Sequence, residues 1–215
     1  MKTAPRDRIK CNRLISRSGR DSHTAQRVLV AVSNAQNRDY PRWMPDLGDL
    51  FDQHVAFEFQ NKDVDATMAT MVEDPTVIHV PVMTGGRGVE QLHAFYRDAF
   101  IPAWPDDVDV EQLSRTVGSE RVVDELIIRF THTREMPFWL PGIAATGRHV
   151  EIPLVVVMVF RAGKVASEHI YWDQASLLAQ IGLLDASDLP VVGPVQAQAL
   201  VDPTVTLNEI ITAAR

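Results

Sequence analysis

At 215 residues and 24.0 kDa, the chain is long enough for one well-buried domain with appendages. Its 46% hydrophobic and 23% charged residues, with 13 Pro and 11 Gly, exclude a disordered or fibrous chain, and no apolar run approaches the ~20 residues of a membrane helix. A net charge of -7 and a pI near 5.4 argue against nucleic acid and membrane surfaces as partners.

Cys11 is the single cysteine, so neither an internal disulfide nor a cysteine-based zinc site can form, and a cytoplasmic location is expected. Charge is unevenly spread. Residues 1–40 carry nine Lys/Arg against three Asp/Glu, a head of +6 on a body of -13. Apolar residues there are sparse and hardly periodic, which predicts a basic, poorly ordered extension.

From residue 41 the pattern becomes that of a folded domain. Leu47, Leu50, Phe51, Val55 and Phe59 form a helical stripe starting near Asp46 or Asp49. DVDATMATMVED reads as a second short helix, stopped before Pro75. TVIHVPV alternates and is β-branched, hence a strand, and TGGRG follows as a turn. That turn lacks the spacing of a phosphate loop.

In GVEQLHAFYRDAFIPAW, Val89, Leu92, Tyr96 and Ala99 recur at helical spacing, and Pro102 closes the helix. VVDELIIRFTHT, HVEIPLVVVMVFR and KVASEHIYW are three longer strands, joined by PGIAATG and by the tight turn AG. Helices followed by an antiparallel meander make an α+β fold, with helices on one face of the sheet. HVEIPLVVVMVFR is apolar on both faces, so a second cover, such as a second subunit, is expected for the outer one. Residues 186–215 read as an ordered extension packed on the domain.

Candidate chemistry lies at the chain's titratable residues. Simple alternation in KVASEHIYWD puts Val165, Ser167, His169, Tyr171 and Asp173 on one face. If that face lines an apolar pocket, desolvation would tune Asp173 for proton transfer. Asp173 could equally cap the helix that begins at Gln174, and on spacing alone the cap is favoured. His132 rides on the apolar face of its strand, as a hydrogen-bonding partner or as a core histidine. His79 also has apolar neighbours. Phe138 and Trp139 could roof a pocket or anchor a loop. No histidine pair has a metal-ligand spacing, and no GxSxG elbow is present, so neither a metal site nor a serine hydrolase is expected.

THT, then PGIAATGRHVEIPLVVVMVFRAGKVASEHIYWDQASLLAQIG, resembles the second half of a SnoaL-like polyketide cyclase domain, and DATMATMVEDPTVIHVPV with GGRGVEQLHAFYRDAF resembles its first half. The resemblance spans residues 46–185 and places a SnoaL-like domain at 41–185. It implies the nuclear transport factor 2-like cone: a curved, mostly antiparallel sheet wrapped around N-terminal helices, with an internal pocket and a homodimer through the outer sheet face. It also implies a cofactor-independent acid/base enzyme of aldol-cyclase, isomerase or lyase type, acting on an apolar oxygenated small molecule. Asp173 and His132 stand at the family's catalytic positions, and His79, His169, Tyr171, Phe138 and Trp139 are the expected substrate contacts. GIAATG replaces the family's Gly-Ile-Pro-Pro-Thr-Gly, and His169 stands where Trp is frequent. A non-catalytic binding or dimerisation module of the same fold is the alternative.

Overall fold

In a computed structural model that describes residues 46–213, a six-stranded sheet curves around helices laid on its inner face. The basic extension at residues 1–40 lies outside the described residues. Asp46 caps helix α1 (Leu47–Ala56) by accepting from Gly48 N at 2.7 Å, and a π-helical turn over Phe57–Asn61 continues it. Helix α2 (Val64–Ala69) is capped by Asp63 and is shorter than its sequence suggests. Strand β1 (Met71–His79) begins where helix was expected and runs through Pro75. Its pairing register shifts between Met71 and Thr76, an irregularity that accommodates a residue without an N–H.

TGGRG supplies a short strand, β2 (Thr84–Arg87), hydrogen-bonded to β1. Gly85 has φ of 125°, and a Cβ there would collide with the Val77 carbonyl, so this close pairing requires glycine. Helix α3 (Gly88–Phe95) passes into a second π-helical turn, Tyr96–Phe100, and a 3₁₀ turn holding Pro102. Strands β3 (Asp109–Val117), β4 (Arg121–Thr131), β5 (His149–Arg161) and β6 (Lys164–Trp172) complete the sheet, followed by α4 (Gln174–Gln180), α5 (Val195–Val201) and α6 (Glu209–Ala213). Strand order is β2-β1-β6-β5-β4-β3, with β1–β6 the single parallel pair among the described residues.

Strand β3 was not foreseen, because DVEQLSRTV mixes polar residues on both faces of an edge strand. The AG turn joining β5 to β6 has positive φ at both residues, Ala162 52° and Gly163 74°, the backbone of a two-residue hairpin turn. Beyond the end of β6, the Gln180 side chain takes the place of a strand: its Oε1 accepts from Glu151 N at 2.8 Å, and its Nε2 donates to Glu151 O at 3.0 Å. The C-terminal extension is tied down where Ser176 Oγ donates to Gly193 O at 3.1 Å and Ala197 is buried. Among the described residues, no helix is long and apolar enough to cross a membrane.

One irregularity decides what faces the interior. Val159 pairs with Ser167, but Phe160 pairs with Val165, so Ala166 is an extra residue in β6. Such a bulge reverses the alternation on either side of it. Val165 and Glu168 therefore both point inward. Glu168, Ile170 and Trp172 are buried, whereas Tyr171 is 44% exposed.

Candidate active site

Between the concave sheet and the helices lies a cavity of about 840 Å³, counted out to its mouth, with walls dominated by aromatic and aliphatic side chains. An apolar cavity with a few polar groups on its wall suits a small molecule. Phe95, Tyr96, Phe100, Trp104 and Trp139 supply much of the wall, and polar groups gather at two places on it.

The first is built on α1, the two π-helical turns and β6. His54 and Glu58 are one helical turn apart; Glu58 is the second residue of the bulged turn after α1, and Tyr96 begins the one after α3. Such turns re-aim side chains and are frequent at functional sites. Thr70 Oγ donates to Thr67 O at 2.6 Å, so it can only accept from His54 Nδ1, also at 2.6 Å. That fixes His54 with Nε2 toward the carboxylates, 3.1 Å from Glu58 Oε1 and 3.9 Å from Glu168 Oε2. The Tyr96 hydroxyl stands 3.5 Å from the same nitrogen. Although Glu58 Oε1 is close to His54, it has no aligned hydrogen bond among the described residues, so the contact is electrostatic.

His54, Glu58 and Glu168 are all buried. Two carboxylates in an apolar wall with one imidazolium would leave a buried excess charge, which retention of a proton removes. Burial, and then the neighbouring Glu58, push the Glu168 carboxyl up to about 8, with His54 opposing. Burial works against a charged His54, but the two carboxylates outweigh it and its pKa is raised. Burial, Glu58 and Glu168 hold the Tyr96 hydroxyl well above its ordinary range, so it stays a donor. The three ligand-type atoms of His54, Glu58 and Glu168 lie within 4.8 Å of one another, a spacing that also admits a divalent cation.

The second polar group ties the sheet to α1. Arg115 grips Asp124 with two bonds of 2.7 Å, reaches Asp52 at 2.7 Å and donates to Gly48 O at 3.2 Å. Gln112 adds a bond to Asp124 at 2.8 Å, and the guanidinium lies 4.7 Å over the Phe51 ring. Both carboxylates bond the one guanidinium, so this group ties β3 and β4 to α1 at the cavity wall.

The residues expected from sequence divide between the cavity and other places. His79 and Trp139 are in the cavity wall, and Phe138, fully buried, backs it through ring contacts of 4.9 Å with Phe100 and 5.8 Å with His79. His169 and Tyr171 are turned outward by the bulge. His132 is buried but is not in the cavity wall; its Nδ1 bonds Thr146 Oγ at 3.1 Å, and burial lowers its pKa. Asp173 is exposed outside the cavity, capping α4 by accepting from Ser176 N at 3.1 Å and from Gln196 Nε2 at 3.1 Å. Sequence reasoning passed over His54, Glu58, Tyr96 and Glu168. The i, i+4 His-Glu pair at the end of the apolar stripe was the available signal for the first two.

The family described as the SnoaL-like domain matches residues 51–168, more than half of the chain. The chain belongs to the SnoaL-like family. Its match contains His54, Glu58, Tyr96 and Glu168 and leaves Asp173 outside. No curated protein matches. Among solved structures, TsrD from Streptomyces laurentii is similar at TM-score 0.51 and 17% identity, over 65% of this chain and 96% of that one. A candidate SnoaL-like polyketide cyclase from Shewanella putrefaciens CN-32 is similar at TM-score 0.52 and 15% identity, over 66% and 89%. At these identities the likeness shows the SnoaL-like fold alone.

Proposed function

We propose that this SnoaL-like protein is an acid/base enzyme of the isomerase, lyase or aldol-cyclase type, acting on an apolar oxygenated small molecule inside the cavity. The observation that carries this reading is the pairing of two buried carboxylates of the cavity wall, Glu58 and Glu168, with Tyr96 in the same wall and with His54. Glu168, protonated up to about pH 8, donates its proton to a substrate carbonyl oxygen while Glu58, steadied by His54, takes a proton from the adjacent carbon. Tyr96 adds a hydrogen bond to the oxygen as charge develops there. Return of the proton at another carbon isomerises the substrate, loss of a β-leaving group eliminates, and attack of the enol on a second carbonyl closes a ring.

Proton abstraction is measurable without the natural substrate, as deuterium exchange α to the carbonyl of small cyclic ketones in D₂O. Exchange accelerated by the wild type and lost in Glu168→Gln supports the enzyme; no acceleration, or equal exchange in both, makes the chain a binding module. A stoichiometric divalent ion in the purified protein would replace the proton-sharing reading of the triad.

Asp173 then acts as a cap. Asp173→Asn is expected to leave both exchange and melting unchanged, and Asp173→Ala to lose about 1 kcal/mol of stability with exchange intact. Lost exchange in Asp173→Asn would return the proton-transfer role to Asp173.

We further propose a homodimer through the outer sheet face, where Val155, Val157 and Val159 on β5 are only half-buried and Tyr171 is exposed. Sedimentation should give twice the chain mass for the wild type and one chain for Tyr171→Asp. A monomeric wild type would rule the pairing out.

A further inference from the structure

His79 sits on the inner face of β1, 2% exposed, among Phe95 and Phe100 at 5.6 Å and Phe138 and Trp172 at 5.8 Å between ring centres. Its polarity is set by a short relay. Thr84 Oγ donates its one hydrogen to Phe138 O at 2.5 Å, and therefore accepts from His79 Nδ1 at 3.2 Å. Burial among these rings lowers the imidazole's pKa to about 3, so the ring is neutral, and with the hydrogen on Nδ1 its Nε2 carries a lone pair. Nε2 has no partner among the described residues, although His79 belongs to the cavity wall. The indole N–H groups of Trp104 and Trp139, in the same wall, are buried and likewise without a partner there.

An imidazole acceptor left open on an aromatic wall matches a group that gives a hydrogen bond. A hydroxyl does so, and an aromatic ring bearing it suits the neighbouring faces. We infer that His79 Nε2 is a hydroxyl-recognition subsite, so that the cavity selects ligands carrying a phenol-type hydroxyl. Val77 and Glu168 are register partners, as are His79 and Ile170, which places His79 two residues along the sheet from the level of Glu168. At ~3.3 Å per residue the recognised hydroxyl lies roughly 7 Å along the strands from that level. The inference shares with the proposed function the use of this cavity as the ligand site; it does not need the proton chemistry at Glu168.

Phenol and toluene, nearly equal in size, are the probes, with binding followed by chemical-shift titration of the whole chain. Phenol is expected to bind about tenfold or more tightly than toluene, since toluene leaves Nε2 unpaired. His79→Phe should remove that preference, and Glu168→Gln should keep it. Should His79→Phe not fold, ¹⁵N-labelled histidine in the wild type replaces it: phenol should move the His79 Nε2 resonance and toluene should not. The subsite is overturned by absence of phenol binding at millimolar concentration, by equal binding of both probes, by a preference that survives in His79→Phe, or by an unmoved Nε2 resonance. A preference lost in Glu168→Gln would place the hydroxyl at Glu168 and also overturn it. A kept preference with no ketone exchange would leave the subsite standing and sink only the enzymatic reading.

Discussion

Glu168→Gln is expected to reduce deuterium exchange on the order of 10²–10⁴-fold, the range lost when a positioned general acid is removed. The same substitution should make the protein more stable at alkaline pH, because glutamine keeps the shape of the protonated carboxyl without its tendency to ionise. The sign follows from proton binding. Glu168 titrates near 8 when folded and in the ordinary carboxyl range when unfolded, and the His54 pKa is also raised by folding. Both groups bind protons more tightly in the folded chain, so each contributes stability that is lost as pH rises through its folded pKa. Below about pH 6.5 the lowered pKa values of His79 and His132 act in the opposite direction, which leaves pH 6.5 to 8.5 as the clear window. Across it the melting temperature of the wild type should fall, and that of Glu168→Gln should fall less. A variant that loses exchange and also melts lower at pH 8.5 would show Glu168 to be a structural partner of His54.

Arg115→Met is expected to have the largest effect on stability. Asp124 is 1% exposed and takes three of its hydrogen bonds from Arg115 and Gln112, so removing the guanidinium leaves a buried carboxylate with only Gln112. Breaking a buried pair from one side costs about 3–5 kcal/mol. At about 2–4 °C per kcal/mol for a chain of this size, the melting temperature should drop on the order of 10 °C. Replacing both partners, Arg115→Met with Asp124→Leu, should recover much of the loss, because the apolar pair carries no unmatched charge. If Arg115→Met melts like the wild type, the clamp between β3, β4 and α1 contributes little.

The fold was legible because its strongest elements carry a clean period. The α1 stripe, the α3 stripe ending at Pro102 and the apolar run of β5 all lie where alternation and helical spacing put them. Family resemblance added the curvature and the cavity, which no local pattern encodes. The site was less legible, for a specific physical reason. Alternation along β6 grouped Val165, Ser167, His169, Tyr171 and Asp173, but the extra residue at Ala166 splits that set, leaving Val165 inside, Tyr171 outside and Glu168 turned inward. A bulge depends on pairing with β5, so the residues of β6 alone cannot announce it. Tyr96 was noted only as a member of an apolar stripe. His54 and Glu58 fell within the α1 stripe region, and only the tertiary fold shows that their helix face meets a carboxylate from the far end of the chain.

The most direct test is the titration of Glu168 itself. ¹³C NMR of glutamate-labelled protein, with Glu168→Gln identifying the resonance, should show a carboxyl that remains protonated at pH 7 and titrates near 8. A carboxyl that is already ionised at pH 7 and titrates near the ordinary glutamate value of ~4.3 would contradict the account.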